Sequence, residues 1–190
     1  MYSFRNDYSE GAHPKVLQAL ADTNLRQTVG YGMDPCCQAA ADTIRRLCAA
    51  PDAAVHFLVG GTQVNLVTID AFLQSYEAVV AAQTGHVSTH ETGAIEATGH
   101  KVCTVESPDG KLTPALVESV LAGHNGTEHM VLPRMVYIAD TTEIGTVYTR
   151  AELAALRQCC DVHGLFLYLD GARLGSALTF TGQSAVLEDR

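Results

Sequence analysis

The segment Leu165-Phe166-Leu167-Tyr168-Leu169-Asp170-Gly171-Ala172-Arg173 constrains this chain more than any other. Its five leading apolar residues predict a strand buried on both faces, of the kind found inside a parallel sheet. At the C-terminal end come a carboxylate, two very small residues and a guanidinium. Ligands of open α/β sheets bind at that end of the strands. A buried acid stays ionised only when something cationic faces it, because desolvation favours the neutral form. Two arrangements meet that demand. Arg173 can close the strand-to-helix turn as a plain ion pair with Asp170. Alternatively, a flat ring fills the gap beside Gly171 and Ala172, with a protonated pyridine nitrogen against Asp170, as in pyridoxal 5'-phosphate (PLP) enzymes.

The rest of the chain supplies a sheet for that strand. Residues 1–12 are polar and predict an irregular arm, with residues 13–190 as one large domain. His13-Pro14 opens a helix with Val16, Leu17 and Leu20 on one side, and Asp34-Pro35 opens another with Cys37, Ala41, Ile44, Leu47 and Cys48 on one face. Arg45 and Arg46 fall off that stripe and are expected to face solvent. Strands are predicted at 53–59, 77–82, 101–105 and 135–139, with helices between them, including one capped by Thr113-Pro114 and one opened by the capping box Thr149-Arg150-Ala151-Glu152. Strand alternating with helix gives an α/β fold, a doubly wound and mainly parallel sheet.

Composition excludes several partners. With 47% hydrophobic residues a substantial core can be buried, and a net charge of −9 without any Lys/Arg block argues against nucleic acid and anionic membranes. No apolar run approaches a bilayer span and no signal-peptide pattern opens the chain, so a cytoplasmic protein is expected. The six cysteines, including the adjacent pairs Cys36-Cys37 and Cys159-Cys160, lie in helical patterns or strands without C-x-x-C spacing, and predict buried free thiols.

Two further strand ends carry chemistry. Gly60-Gly61-Thr62-Gln63 joins a predicted strand to a helix start, where free N–H groups and the helix dipole favour an anion; an ordinary tight βα turn explains the same residues. It is not a Walker pattern, and no G-x-G-x-x-G follows the first strand, so a nucleotide-binding domain ranks last. His86, His90 and Glu91 lie within six residues, but they do not follow the H-E-x-x-H order and no cysteine lies nearby, so no metal site is expected there. A ring stacked on an aromatic cofactor, beside an acid, fits that position better.

Taken in order, Gly60-Gly61-Thr62-Gln63, His86 with Glu91, Thr141-Thr142-Glu143-x-Gly145 and Asp170-Gly171-Ala172-Arg173 resemble the low-specificity L-threonine aldolases and related β-eliminating lyases. The opening segment, Arg5 to Pro14, is similar to the start of that family too. The resemblance implies the aspartate-aminotransferase type of PLP fold and PLP as cofactor. It implies a small amino-acid substrate, with L-threonine or L-allo-threonine cleaved to glycine and acetaldehyde, and a homodimer or homotetramer. β-Elimination on the same cofactor, or a catalytically dead module, are the alternatives. Residue by residue, it implies that Gly60, Gly61 and Thr62 bind the PLP phosphate, that His86 stacks on the ring, and that Asp170 pairs with the ring nitrogen. Arg173 would contact the cofactor hydroxyl or the substrate carboxylate. Glu91 would sit near the substrate hydroxyl as acid or base. Tyr31, and Ser9 or Asp7 in the arm, are further substrate-binding candidates, Tyr31 in a neighbouring subunit.

The family pattern also requires a Schiff-base lysine beyond the Asp-Gly-Ala-Arg motif. Lys15, Lys101 and Lys111 all precede Asp170, and none matches that position. The chain is therefore expected to be the N-terminal part of a longer enzyme, able to hold PLP but not to turn over substrate by itself.

Overall fold

The computed structural model describes residues 3–124 and 126–181; the end of the predicted 13–190 domain lies outside the described residues. In chain order the elements are α1 (Pro14–Thr23), α2 (Pro35–Leu47), α3 (Gly61–Phe72), β1 (Glu77–Ala82), α4 (His86–Thr89), α5 (Ala94–Ala97), β2 (Lys101–Val105), α6 (Pro114–Ala122), β3 (Leu132–Ala139), α7 (Arg150–His163), β4 (Phe166–Asp170) and α8 (Leu174–Thr181). The four strands form one sheet in the order β2-β1-β3-β4, and every pairing is parallel. From β1 the chain moves out to β2, then returns to the other side of β1 for β3. The strand order therefore reverses between β1 and β3, and the crevice at that switch point lies at the strands' C-terminal ends.

β1 sits in the middle of the sheet and is buried at all six positions. Its side chains alternate between two cores. Val79 and Ala81 join Met135 and Tyr137 against Ile69 and Leu73 below α3, with Val87 and Ile95. Val80 and Ala82 join Val136 and Ile138 against Val117 of α6 and Leu156 and Cys160 of α7. Helices thus cover both faces, as a doubly wound sheet requires. Each fully buried Val, Leu or Ile contributes roughly 1.5–3 kcal/mol relative to exposure. Helix starts follow the predicted chemistry. Asp34 accepts from the amides of Cys36 and Cys37, Thr113 accepts from Leu116, and Thr149 with Glu152 completes the capping box.

Several expectations are corrected. Residues 53–59 form no strand: the segment has no regular secondary structure and pairs with none of the four strands, and Val59 is 96% exposed. β4 is not buried on both faces. Only β3 pairs with it among the described residues, so its side chains from Leu167 to Asp170 are half-buried and Phe166 is exposed. The apolar stripes of α1 and α2 face outward, with Val16, Leu17, Leu20, Ile44 and Leu47 exposed and Ala41 alone buried. Arg45 is half-buried instead of facing solvent freely, and its Nε donates to the Ala53 carbonyl at 2.8 Å. All six cysteines are free, but Cys36 is exposed and Cys37 and Cys48 are half-buried. Among the described residues no helix is long and apolar enough to cross a membrane.

Candidate active site

A cleft opens where β1, β3 and β4 end. Gly61, Thr62, Asn65, His86, Thr141, Glu143, Asp170 and Ala172 line it, together with Asp7, Tyr8 and Arg173. Asp170, the last residue of β4, is held by three donors. The Tyr137 hydroxyl donates to Oδ2 at 2.7 Å, the Asn65 amide to the same oxygen at 3.3 Å, and the Ala172 backbone N–H to Oδ1 at 3.0 Å. Only a carboxylate, an acceptor at both oxygens, satisfies all of them. Burial and then the Asp170 charge hold the Tyr137 phenol far above its ordinary range, so it remains a donor.

A second carboxylate lies beneath the floor. Glu91 is 4% exposed; its Oε1 accepts from the Asn65 amide and sits 2.7 Å from His86 Nδ1. Its Oε2 is buried without a hydrogen-bond partner among the described residues. Asn65 therefore bridges two acids, Glu91 and Asp170, while its own carbonyl accepts from Tyr168. Tyr168 is the cross-strand neighbour of Tyr137, their rings meeting edge to face, and burial with the Asp170 charge pushes its phenol up to about 12. The His86 ring, 38% exposed, is anchored at one nitrogen and open toward the cleft at its other edge. Glu143, from the loop after β3, accepts from the His86 backbone N–H at 2.7 Å and so fixes the start of α4 against the sheet.

The N-terminus of α3 lines the same cleft as Asp170. Gly60 is its N-cap, no side chain caps it, and its first turn carries no acid. A Cβ added at Gly60 or Gly61 would meet no atom within 4 Å, and Gly60 is in ordinary extended backbone. Neither glycine is demanded by packing, so their bareness keeps uncapped amides open to whatever enters. A carboxylate and a helix N-terminus lining one cleft suit a ligand that is cationic toward Asp170 and anionic toward Thr62.

The N-terminal arm forms the remaining wall. Residues 3–13 contain no helix or strand, yet Asp7 grips Arg173 in a two-bond pair, Nε to Oδ2 at 2.6 Å and Nη2 to Oδ1 at 2.9 Å. Arg173 holds the Asp7 carboxyl below the usual range.

Of the predicted residues, the fold brings Gly61, Thr62, His86, Asp170 and Arg173 to one cleft, with Gly60 at the cap of α3. The Arg173 guanidinium is engaged by Asp7 and makes no bond to Asp170. Glu91 lies behind His86 and does not line the cleft. Tyr31 is fully exposed and Ser9 bonds Asn6, both away from the lining. The gap expected beside Gly171 is corrected: a Cβ there would stand 3.3 Å from Leu174 Cβ, so that glycine makes room for α8 and not for a ring. None of the three lysines lines the cleft, and Lys111 is paired with Glu152 at 2.6 Å. Sequence reasoning missed Asn65, Tyr137 and Tyr168. The available signal was a polar residue on the inward stripe of α3, one turn before Ile69, and a tyrosine within each of two apolar strands.

The model of the β-eliminating lyase family matches residues 4–186, and the chain belongs to that family. Among curated relatives, low specificity L-threonine aldolases of Pseudomonas aeruginosa and Saccharomyces cerevisiae are 36% and 28% identical, over 95% and 94% of this chain. The chain spans about half of each relative's length, 52% and 46%. Among solved structures, a threonine aldolase of Leishmania major superposes with a TM-score of 0.92 at 56% identity, covering 94% of this chain and 52% of that one. An aspartate aminotransferase of Rhizobium meliloti, at 16% identity and TM-score 0.62, shares the fold.

Proposed function

We propose that this cleft binds PLP and belongs to a carbon–carbon lyase that cleaves L-threonine and L-allo-threonine to glycine and acetaldehyde. The observation that carries this reading is the Asp170 carboxylate, fixed by three donors in a cleft that the uncapped N-terminus of α3 also lines. Gly60, Gly61 and Thr62 would hold the phosphate, His86 would lie along the ring, and Asp170 would face the ring nitrogen. The bound, protonated ring supplies an electron sink for the pair released when the Cα–Cβ bond breaks. Asp170 keeps that sink charged by placing a carboxylate beside the nitrogen. Tyr137 and Asn65 keep the carboxylate aimed. Glu91 holds His86 by Nδ1, so the ring cannot swing out of the cleft and its other nitrogen is the one presented to substrate. Arg173 lines the cleft as a cation for a substrate carboxylate, which would displace Asp7 from it. The enzyme is read as cytoplasmic and as a homodimer or homotetramer, the exposed apolar residues of α1 and α2 with Tyr31 being surface that a second copy would cover.

Pyridoxine 5'-phosphate is the suitable probe, because it has no aldehyde and cannot react with the surface lysines. Fluorescence titration of the chain should show saturable binding, weakened by roughly 1–3 kcal/mol in Thr62→Val, the size of one charge-assisted bond. In the Leishmania enzyme, the change equivalent to Asp170→Asn should lower acetaldehyde release by roughly 10²–10³-fold. Release of 2-oxobutyrate and ammonia in place of glycine and acetaldehyde would make the reaction an elimination. Absence of any binding would remove the cofactor reading.

A further inference from the structure

At the opposite end of the sheet from the cleft, in the last turn of α7, the chain gathers a second group of side chains. Cys159 and His163 lie four residues apart on one face of that helix, and Glu118 reaches them from α6. The thiol sulfur, an imidazole nitrogen and a carboxylate oxygen all lie within 4.8 Å of one another, with His163 Nε2 3.7 Å from Glu118 Oε1. We propose that Glu118, Cys159 and His163 form a binding site for a borderline-soft divalent cation of the Zn²⁺ type.

The geometry is close to what such an ion needs. Tetrahedral coordination, with metal–sulfur near 2.3 Å and metal–nitrogen or –oxygen near 2.0–2.1 Å, sets ligand atoms roughly 3.3–3.7 Å apart. The His–Glu pair is already at that spacing. Closing the sulfur to it requires only rotation of Glu118 and His163, which are exposed and free to adjust, about a buried Cys159 that fixes the point of attachment. One thiolate, one imidazole and one carboxylate select Zn²⁺ or Co²⁺ over Mg²⁺ or Ca²⁺, which prefer oxygen ligands throughout. The carbonyl end of α7 adds a partial negative charge. Cys159 lies at the edge of the core, 7% exposed, whereas Cys160 is fully buried and has no part in the cluster. Binding joins Cys159 sulfur to the ion and releases the thiol proton to the buffer. Its mechanical effect is to tie α6 to α7.

The experiment is a Co²⁺ titration of the reduced chain, followed by displacement with Zn²⁺. A near-ultraviolet thiolate-to-cobalt band should rise to one equivalent and disappear when Zn²⁺ is added. Cys159→Ser should abolish it. His163→Ala and Glu118→Gln, both at exposed positions that leave the fold unchanged, should each weaken affinity by tenfold or more. Cys36→Ser, which removes the exposed thiol, should change nothing. The proposal is overturned if no band forms, if the band survives Cys159→Ser or is lost with Cys36→Ser, or if neither His163→Ala nor Glu118→Gln alters affinity.

Discussion

Asp170→Asn is usually regarded as nearly isosteric, but the surroundings of Asp170 make it a test of the whole floor of the cleft. The side chain accepts three hydrogen bonds on two oxygens. An asparagine has one oxygen to offer. The Ala172 N–H can only donate, so the amide oxygen must take the Oδ1 side, leaving the NH₂ group facing Tyr137 and Asn65. The Tyr137 hydroxyl can turn and accept. The Asn65 amide cannot: flipping it would bring its carbonyl against the Glu91 carboxylate, breaking a short bond to rescue a long one. One donor is therefore left facing another, and the remaining bonds lose their charge assistance. Each hydrogen bond to a charged group is worth about 1.5–3 kcal/mol against about 0.5–1.5 kcal/mol for a neutral one, which places the net loss at roughly 1–3 kcal/mol. With a urea m-value of about 1–3 kcal/mol/M, the unfolding midpoint should fall by roughly 0.5–1.5 M. Tyr137→Phe added to Asp170→Asn should cost less than it does alone, a coupling expected for partners in direct contact. An unchanged midpoint together with strict additivity would refute the account of Asp170 as the hub of this network.

Gly61→Ala should leave the urea midpoint unchanged or raise it slightly, since the added Cβ meets no protein atom within 4 Å and alanine suits a helix, while pyridoxine 5'-phosphate binding weakens measurably by titration. Among the thiols, Cys36 should alkylate first at pH 8 as followed by mass spectrometry, and Cys160, buried and pushed up to about 11, should react only on unfolding. The Asp7–Arg173 pair should loosen in acid. The Asp7 carboxyl is lowered by Arg173, so its contribution is present above the ordinary carboxylate range and is lost as pH falls through the lowered value; protease cutting within residues 3–12 should accelerate there, and at neutral pH in Asp7→Asn.

The sequence made the sheet strands β1 to β4 legible because each is a short apolar run between turn signals, and the helix starts legible because Asp34, Thr113 and Thr149 cap through bonds to their own neighbours. Residues 53–59 misled for the same reason that β1 did not. An apolar run records a preference for burial, and only long-range pairing decides whether a neighbour is there to provide it. The outward stripes of α1 and α2 carry the same lesson. At the site, Asp170 and the glycines before α3 were readable since their chemistry is local to one turn. Asn65, Tyr137 and Tyr168 were not, because what gives each its role is the register that sets Tyr137 beside Tyr168 and the packing of α3 across both.

The contact between Asp7 and Arg173 has a bearing on how the protein comes into being. Asp7 is synthesised before all four strands and its partner Arg173 after them, and a flexible chain of that span closes only at a considerable entropic cost. Once the sheet has formed, the two ends are brought near each other and that cost has already been met by the core. The wall of the cleft therefore draws its stability from a floor built by other contacts, and the Asp170 network does not depend on the arm.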